Sequence, residues 1–198
     1  MPSRSRLCAT TLTPRSVQHD PAPITGHGGW GVSAWFSEGG EESATFRWRL
    51  DREVQEDGIT VALVGVNPST AGAEKNDQTI RKDIGFSRIH GWRKIIKVNK
   101  FAFRATDVTE LRQAFDPIGL ENDQWLADAF SEADLIVPCW GPLSKLPKRL
   151  RRRWIEVRMI AQRSGKPMMC LGAAGDGQPL HTLTLAYSTP LVPWSLAA

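Results

Sequence analysis

The sequence predicts an α/β fold in three layers, α/β/α, around a central, mostly parallel sheet of four strands or slightly more. Three observations carry that expectation. From residue 58 onward, short apolar runs alternate with helical stretches of about a dozen residues, the pattern of strands joined by crossover helices. The first run, Ile59 to Val66, is apolar almost without a break and rich in β-branched residues, as a strand covered on both faces must be. Each run ends in a polar or glycine-rich segment, and in parallel sheets such ends gather at one edge, where ligands bind.

The elements follow in order. With 198 residues, 41% of them hydrophobic, the chain is long enough for one substantial core. Residues 1–45 read as an irregular, partly disordered extension, because Gly26-His27-Gly28-Gly29 and Gly39-Gly40 punctuate a stretch rich in Gly, Pro, Ser and Thr. Residues 46–198 read as a single α/β domain. Trp30, Trp35, Phe36, Phe46 and Trp48 are too apolar for a free tail, so part of residues 30–50 is expected to pack as strands. After the first core strand, Asp77 is placed to cap a helix that runs to about His90 and is closed by Gly91. Ile95 to Phe101 reads as the second strand. Past the turn Asp116-Pro117-Ile118-Gly119, Asp123 is expected to cap a helix through Phe130, and Ala133 to Gly141 reads as the third strand.

Leu143, Leu146, Leu150, Trp154, Val157 and Ala161 recur at three- and four-residue intervals. That spacing predicts a helix with one buried face and its arginines outward. Pro147 fits only near its first turn. Lys166 to Gly172 reads as a short fourth strand. Residues 145–163 hold Lys145, Lys148, Arg149, Arg151, Arg152, Arg153, Arg158 and Arg163 against Glu156 alone, whereas the whole chain carries only +4. Basicity this local suits a surface that meets phosphates. A solvated helix face is the alternative reading.

Several classes are disfavoured. No apolar run reaches the roughly 18 residues of a membrane span, and none follows Met1-Pro2-Ser3-Arg4 as a signal peptide requires, so a cytoplasmic protein with no membrane partner is expected. Cys8, Cys139 and Cys170 are far apart and the four histidines scattered, which argues against a disulfide framework or a zinc site. No metal or organic cofactor is expected.

The candidate site lies at the strand ends. In Gly65-Val66-Asn67-Pro68, glycine permits close backbone approach and proline fixes the exit from the sheet. The Asn67 amide, with one acceptor and two donors, is left at the mouth. An Asx-turn is the alternative role for Asn67. Ser69 follows on the same loop as a candidate phosphate contact. Asn99 ends the second strand, with Phe101 and Phe103 beyond it; an amide can read the edge of a nucleobase while an aromatic ring stacks on its face, although phenylalanines at this spacing also suit a core. Arg104 could meet a phosphate or cap the neighbouring helix. His181, in Gly177-Gln178-Pro179-Leu180-His181, follows the fourth strand and is the one histidine placed to join the other segments.

These segments carry two resemblances. Asn67-Pro68-Ser69-Thr70-Ala71, Asp77-Gln78-Thr79-Ile80-Arg81, Val98 to Thr106, Asn122-Asp123, Trp140-Gly141 and Gly177 to His181 resemble the bacterial and phage family catalogued as domain of unknown function 1643, over about residues 46–192. The sequence departs from that family's usual His-Pro-Leu-Tyr ending at His181-Thr182-Leu183-Thr184. The order of segments is also similar to that of the uracil-DNA glycosylase superfamily: a Gly-x-Asn-Pro turn, a strand-ending asparagine, a Trp-Gly and a histidine loop. Those enzymes are three-layer α/β/α domains that cleave the bond between base and sugar. The resemblance implies that Asn67 positions the hydrolytic water, that Asn99 reads the base and that His181 faces the base carbonyl. Gly65, Pro68, Phe101 and Phe103 would then surround the base, and Arg149, Arg152 and Arg153 would hold phosphate. The family's His-Pro-Ser loop is missing, and the Asn-Pro turn and the base-reading asparagine belong to different branches of the superfamily. The sequence thus leads to a hydrolase of N-glycosides acting on nucleic acid or a nucleotide, with a non-catalytic nucleotide- or nucleic-acid-binding protein as the alternative. It does not set the base or the oligomeric state.

Overall fold

In a computed structural model, which describes residues 24–25, 31–38 and 40–195, the chain runs β1 Ile24–Thr25, β2 Val32–Phe36, α1 Gly40–Ser43, β3 Arg47–Glu53, β4 Ile59–Gly65, α2 Gln78–His90, β5 Trp92–Asn99, α3 Asn122–Glu132, β6 Leu135–Pro138, α4 Arg153–Arg163, β7 Met169–Cys170 and β8 Val192–Pro193. The strands β2 and β3 meet the expectation for residues 30–50. Of the extension expected over residues 1–45, residues 1–23 lie outside the described residues.

Six strands form one sheet in the order β1-β2-β3-β5-β4-β6. The sheet is mixed, which corrects the expectation of a mostly parallel one. β4 pairs in parallel with β5 and β6, whereas β1–β2, β2–β3 and β3–β5 are antiparallel. The cause lies in the connections. Only residues 54–58 separate β3 from β4, and a link that short cannot make the crossover of a dozen or more residues that parallel strands need. β4 is joined to β5 through α2, which supplies such a crossover. The expected fourth core strand shrinks to β7, which pairs with β8 and touches the sheet through a single bridge between Met168 and Ile136.

Successive residues of β4 point to opposite faces, and both faces are covered. Ala62 and Val64 pack with Leu126 and Phe130 of α3 and with Val157 and Ala161 of α4, while Val61 and Leu63 pack with Phe86 of α2. α2 begins and ends where the sequence places it. The Asp77 carboxylate accepts the Ile80 N–H at 2.9 Å, and Gly91 takes the left-handed conformation (φ 68°), donating to the Ser87 carbonyl.

Two helix starts differ from expectation. α3 begins at Asn122 behind Glu121, so Asp123 lies in the first turn and is no cap. The basic segment is not one helix from residue 143. Two 3-10 turns, Leu143–Lys145 and Lys148–Leu150, precede α4. Leu146 is extended (ψ 146°) because the ring of Pro147 drives the residue before it out of the helical region. Among the described residues no helix is long and apolar enough to cross a membrane.

Candidate functional site

The carboxyl ends of β4 and β5 are locked together. Gly65 and Asn99 are register partners, and a Cβ on Gly65 would stand 2.6 Å from Asn99 Oδ1 and 3.2 Å from Lys97 Cε. Only glycine lets both side chains lie flat against this backbone. Beyond the strands the two loops stay zipped: Lys100 N–H donates to the Gly65 carbonyl, Phe101 N–H to that of Val66 and Ala105 N–H to that of Pro68. Asn67 adds a side-chain strut. Its Nδ2 donates to the Ala105 carbonyl at 2.7 Å and to the Pro68 carbonyl at 3.0 Å. Among the described residues no hydrogen bond reaches its Oδ1.

These loops line a cavity of about 860 Å³, within the range of small-molecule sites. Gly65, Asn67, Ser69, Asn99 and His181 stand on its wall, as do Trp140 and Gly141 at the end of β6. Trp140 is held by its indole N–H, which donates to Gln178 Oε1 at 2.8 Å. Asn99 is only 2% exposed, and its Nδ2 has no hydrogen-bond partner. A buried donor left unmatched costs about 1–3 kcal/mol, a cost that a ligand with an acceptor here would remove.

Below this wall lies a buried charge cluster. Lys97 Nζ donates to Asp83 Oδ2 at 2.8 Å, and Asp83 Oδ1 accepts the Thr182 hydroxyl at 2.7 Å. Both ionic side chains are almost wholly buried. Burial opposes the charge on Lys97, but Asp83 outweighs it and raises the pKa of the ammonium above its ordinary value. Lys97 also approaches Cys139 Sγ at 3.5 Å. Burial pushes that thiol up to about 11, so it stays protonated and inert as a nucleophile. Thr182 stands in the stretch where the sequence leaves the His-Pro-Leu-Tyr pattern.

His181 takes its state from this neighbourhood. Its Nδ1 accepts the Leu183 N–H at 3.2 Å, so in the neutral ring the proton sits on Nε2. Burial, and then the nearby Lys97 charge, lower its pKa to about 4. At neutral pH His181, on the cavity wall, is therefore uncharged and carries its proton on Nε2.

Other sequence candidates lie elsewhere. Phe101 is fully buried and packs with Leu111, Leu146 and Leu150, with Phe103 against the same cluster; neither lines the cavity. Pro68 is buried beside it. Arg104 donates to the Glu41 and Ala44 carbonyls and lies over the Phe36 ring. Arg149 caps the chain after the 3-10 turn Val108–Arg112 by donating to the carbonyls of Leu111, Arg112 and Ala114. Arg153 is 5% exposed, with its guanidinium on the Lys100 carbonyl, Asp123 and Glu156. Arg152 is exposed and, like Arg149 and Arg153, is absent from the cavity wall.

Sequence reasoning missed Arg47, Lys97 and Asp83. A signal existed for two of them. Lys97 interrupts the apolar run Ile95-Ile96-Lys97-Val98, and Asp83 shares the buried stripe of α2 with Ile80 and Phe86. Opposite charges buried on neighbouring elements are almost always paired.

Residues 47–183 match the family model described as Protein of unknown function (DUF1643). The chain belongs to this family. The matched segment runs from Arg47 at the start of β3 to Leu183 just beyond the histidine loop, so it contains the cavity wall described above. No curated protein and no solved structure matches the chain.

Proposed function

We propose that the cavity is the active centre of an N-glycoside hydrolase of DNA-glycosylase type, which releases a nucleobase from nucleic acid or from a nucleotide. The reading is carried by one observation: Asn67 in the loop after β4, Asn99 at the end of β5 and His181 in the loop after β7 share one cavity wall. The order of these segments along the chain, similar to that of the uracil-DNA glycosylase superfamily, supports it.

Cleavage of the bond between base and sugar builds positive charge on the anomeric carbon and negative charge on the base. A site therefore needs a held water on one side and hydrogen-bond donors on the other. In this mechanism the Asn67 Oδ1 accepts a hydrogen bond from the water whose oxygen forms the new bond to the anomeric carbon. The carbon–nitrogen bond breaks, and its electron pair leaves with the base. His181 Nε2–H donates to a carbonyl oxygen of the departing base, and Asn99 Nδ2–H donates to an acceptor on its edge. Lys97 adds a positive field behind them. The base gains a proton from solvent and the attacking water loses one to it, so water is the only co-reactant.

A second reading, nucleotide binding without turnover, draws on the two carboxylates of the wall. Asp77 caps α2 through the Ile80 N–H, and Asp107 accepts the Thr109 N–H at 2.8 Å; neither is left as an uncommitted general base. The readings separate by assay. Purified protein incubated with uracil-, hypoxanthine- and modified-base oligonucleotides and with free nucleotides should yield free base by mass spectrometry. Asn67→Ala and His181→Ala should each lower the rate by about a hundredfold or more. Tight binding with no base released from any substrate would overturn the hydrolase and leave the binding module.

A further inference from the structure

Apart from the base-facing wall, one end of the cavity is built from cations and backbone N–H groups. The first turn of α2, Asp77 to Arg81, lines it together with Arg47. At a helix start the first N–H groups have no partner within the helix. Ile80 N–H is taken by the Asp77 carboxylate and Arg81 N–H by the Asp77 carbonyl, while those of Gln78 and Thr79 make no hydrogen bond among the described residues. The dipole of α2, 13 residues long, adds partial positive charge at the same place.

Arg47 is the independent observation. It is 2% exposed, its Nη1 donates to the Ala71 carbonyl at 2.6 Å, and its Nε has no partner. Its neighbours differ. Arg52 engages the carbonyls of Asp51 and Gly72 and the Asn76 side chain, and Arg104 engages two carbonyls. Burial, relieved in part by Asp77, lowers the pKa of Arg47 to about 10, a penalty on its charge that a bound anion would relieve. Lys75 and Arg81 are exposed at the rim of the same cavity. Asp77 opposes an anion here, but with Arg47, Lys75 and Arg81 around it the balance stays positive.

We propose that this end of the cavity is a subsite for the terminal phosphate of a free nucleotide, which makes a nucleoside monophosphate, not a polymer, the natural ligand. The proposal rests on the nucleobase reading of the wall that carries Asn67, Asn99 and His181. Its geometry favours a terminal group: Arg47 is 2% exposed and stands on the cavity wall, and a phosphate within a polymer must continue into chain on both sides. A terminal phosphate also carries nearly two negative charges at neutral pH, against one for a diester. Within the basic run the Arg149 and Arg153 guanidiniums are engaged with the protein itself, whereas Lys145, exposed on the wall of the same cavity, adds to its positive charge.

Calorimetric titration of the full chain with the common nucleosides, their 5′-monophosphates, a single-stranded oligonucleotide and inorganic phosphate tests this. At least one monophosphate should bind about tenfold or more tightly than its nucleoside, as expected for one charge-assisted hydrogen bond. Arg47→Met should abolish that advantage. The double substitution Lys75→Gln and Arg81→Gln, confined to exposed side chains, should reduce it even if Arg47→Met fails to fold. Equal affinity for nucleoside and monophosphate would overturn the subsite while keeping the base site. Phosphate binding lost in both variants, with no nucleoside bound, would keep the subsite and remove the base reading. An oligonucleotide that binds as tightly as the monophosphate, with the same losses, would overturn the assignment to a free nucleotide.

Discussion

The protein has two concentrations of positive charge, and they are built in opposite ways. The run over residues 145–163 is conspicuous in the sequence, yet Arg149 and Arg153 hold loops together, Lys148 and Arg152 face solvent, and of its cations only Lys145 stands on the cavity wall. The cations of β3 and β5 that reach the cavity, Arg47 and Lys97, lie inside strands with other charged residues and form no run as long as that one. Both are buried, and both line the cavity. Charge density along a chain reports how much of a surface is solvated. A single charge inside a buried strand reports a site or a partner, because it must be matched.

The largest effect expected from this contrast lies in the buried pair. Lys97→Met leaves Asp83 buried with only the Thr182 hydroxyl, and unfolding in denaturant should show a loss of about 3–5 kcal/mol. The double variant Asp83→Asn with Lys97→Met should recover most of that loss. If the single variant is as stable as the parent, the pair is not buried as described.

Lys100 sharpens the comparison from the other side. It is fully buried, its Nζ has no hydrogen-bond partner, and it lies over the Trp140 ring at 4.9 Å. Burial, then repulsion from Arg153, lower its pKa to about 7. The unfolded chain keeps its proton up to its ordinary value of 10.5, so stability should rise as pH increases from about 7 towards 10.5. Lys100→Met should stabilise the protein by about 1–2 kcal/mol near neutral pH and flatten that slope.

A smaller effect attaches to His181. Its pKa is about 4 when folded against an ordinary 6.5, so the unfolded chain takes up a proton first as pH falls. Its contribution is complete above about 6.5 and is lost between there and about 4, a decline that His181→Gln should remove. Because the folded ring stays neutral at pH 5, the hydrogen bond it donates to a ligand should be as strong there as at pH 7.5. The smallest effect belongs to the surface run: Lys148→Gln with Arg152→Gln should change stability by no more than about 0.5 kcal/mol.

The sequence was legible where one segment determined its own structure. The β-branched run of β4, the Asp77 cap and the Gly91 left-handed stop are local, and each stands where it was expected. The positions of Asn67 and Asn99 follow from the same logic, since a polar side chain that ends a buried strand must face the sheet edge, whereas His181 lies on a loop well beyond β7, at the start of a 3-10 turn. β3 was less legible. Its residues Arg47, Arg49, Asp51 and Arg52 are all buried, which hides any alternation, and Arg49 finds its partners in Asp51 and, 83 residues away, Glu132. The start of α4 was misread because an apolar spacing of three and four also fits two 3-10 turns, and Pro147 decided between them. Phe101 and Phe103 show the limit for aromatic residues: identity and spacing cannot separate a stacking platform from a core until the neighbours are known.

The most direct test of the central claim, that chemistry resides in the cavity and not on the basic run, is the rate of base release from the best substrate in three variants beside the parent. Asn99→Ala and His181→Ala should each lower it by about a hundredfold or more, while Lys148→Gln with Arg152→Gln leaves it unchanged. Undiminished release by both cavity variants, or loss of release in the surface variant alone, would contradict the account.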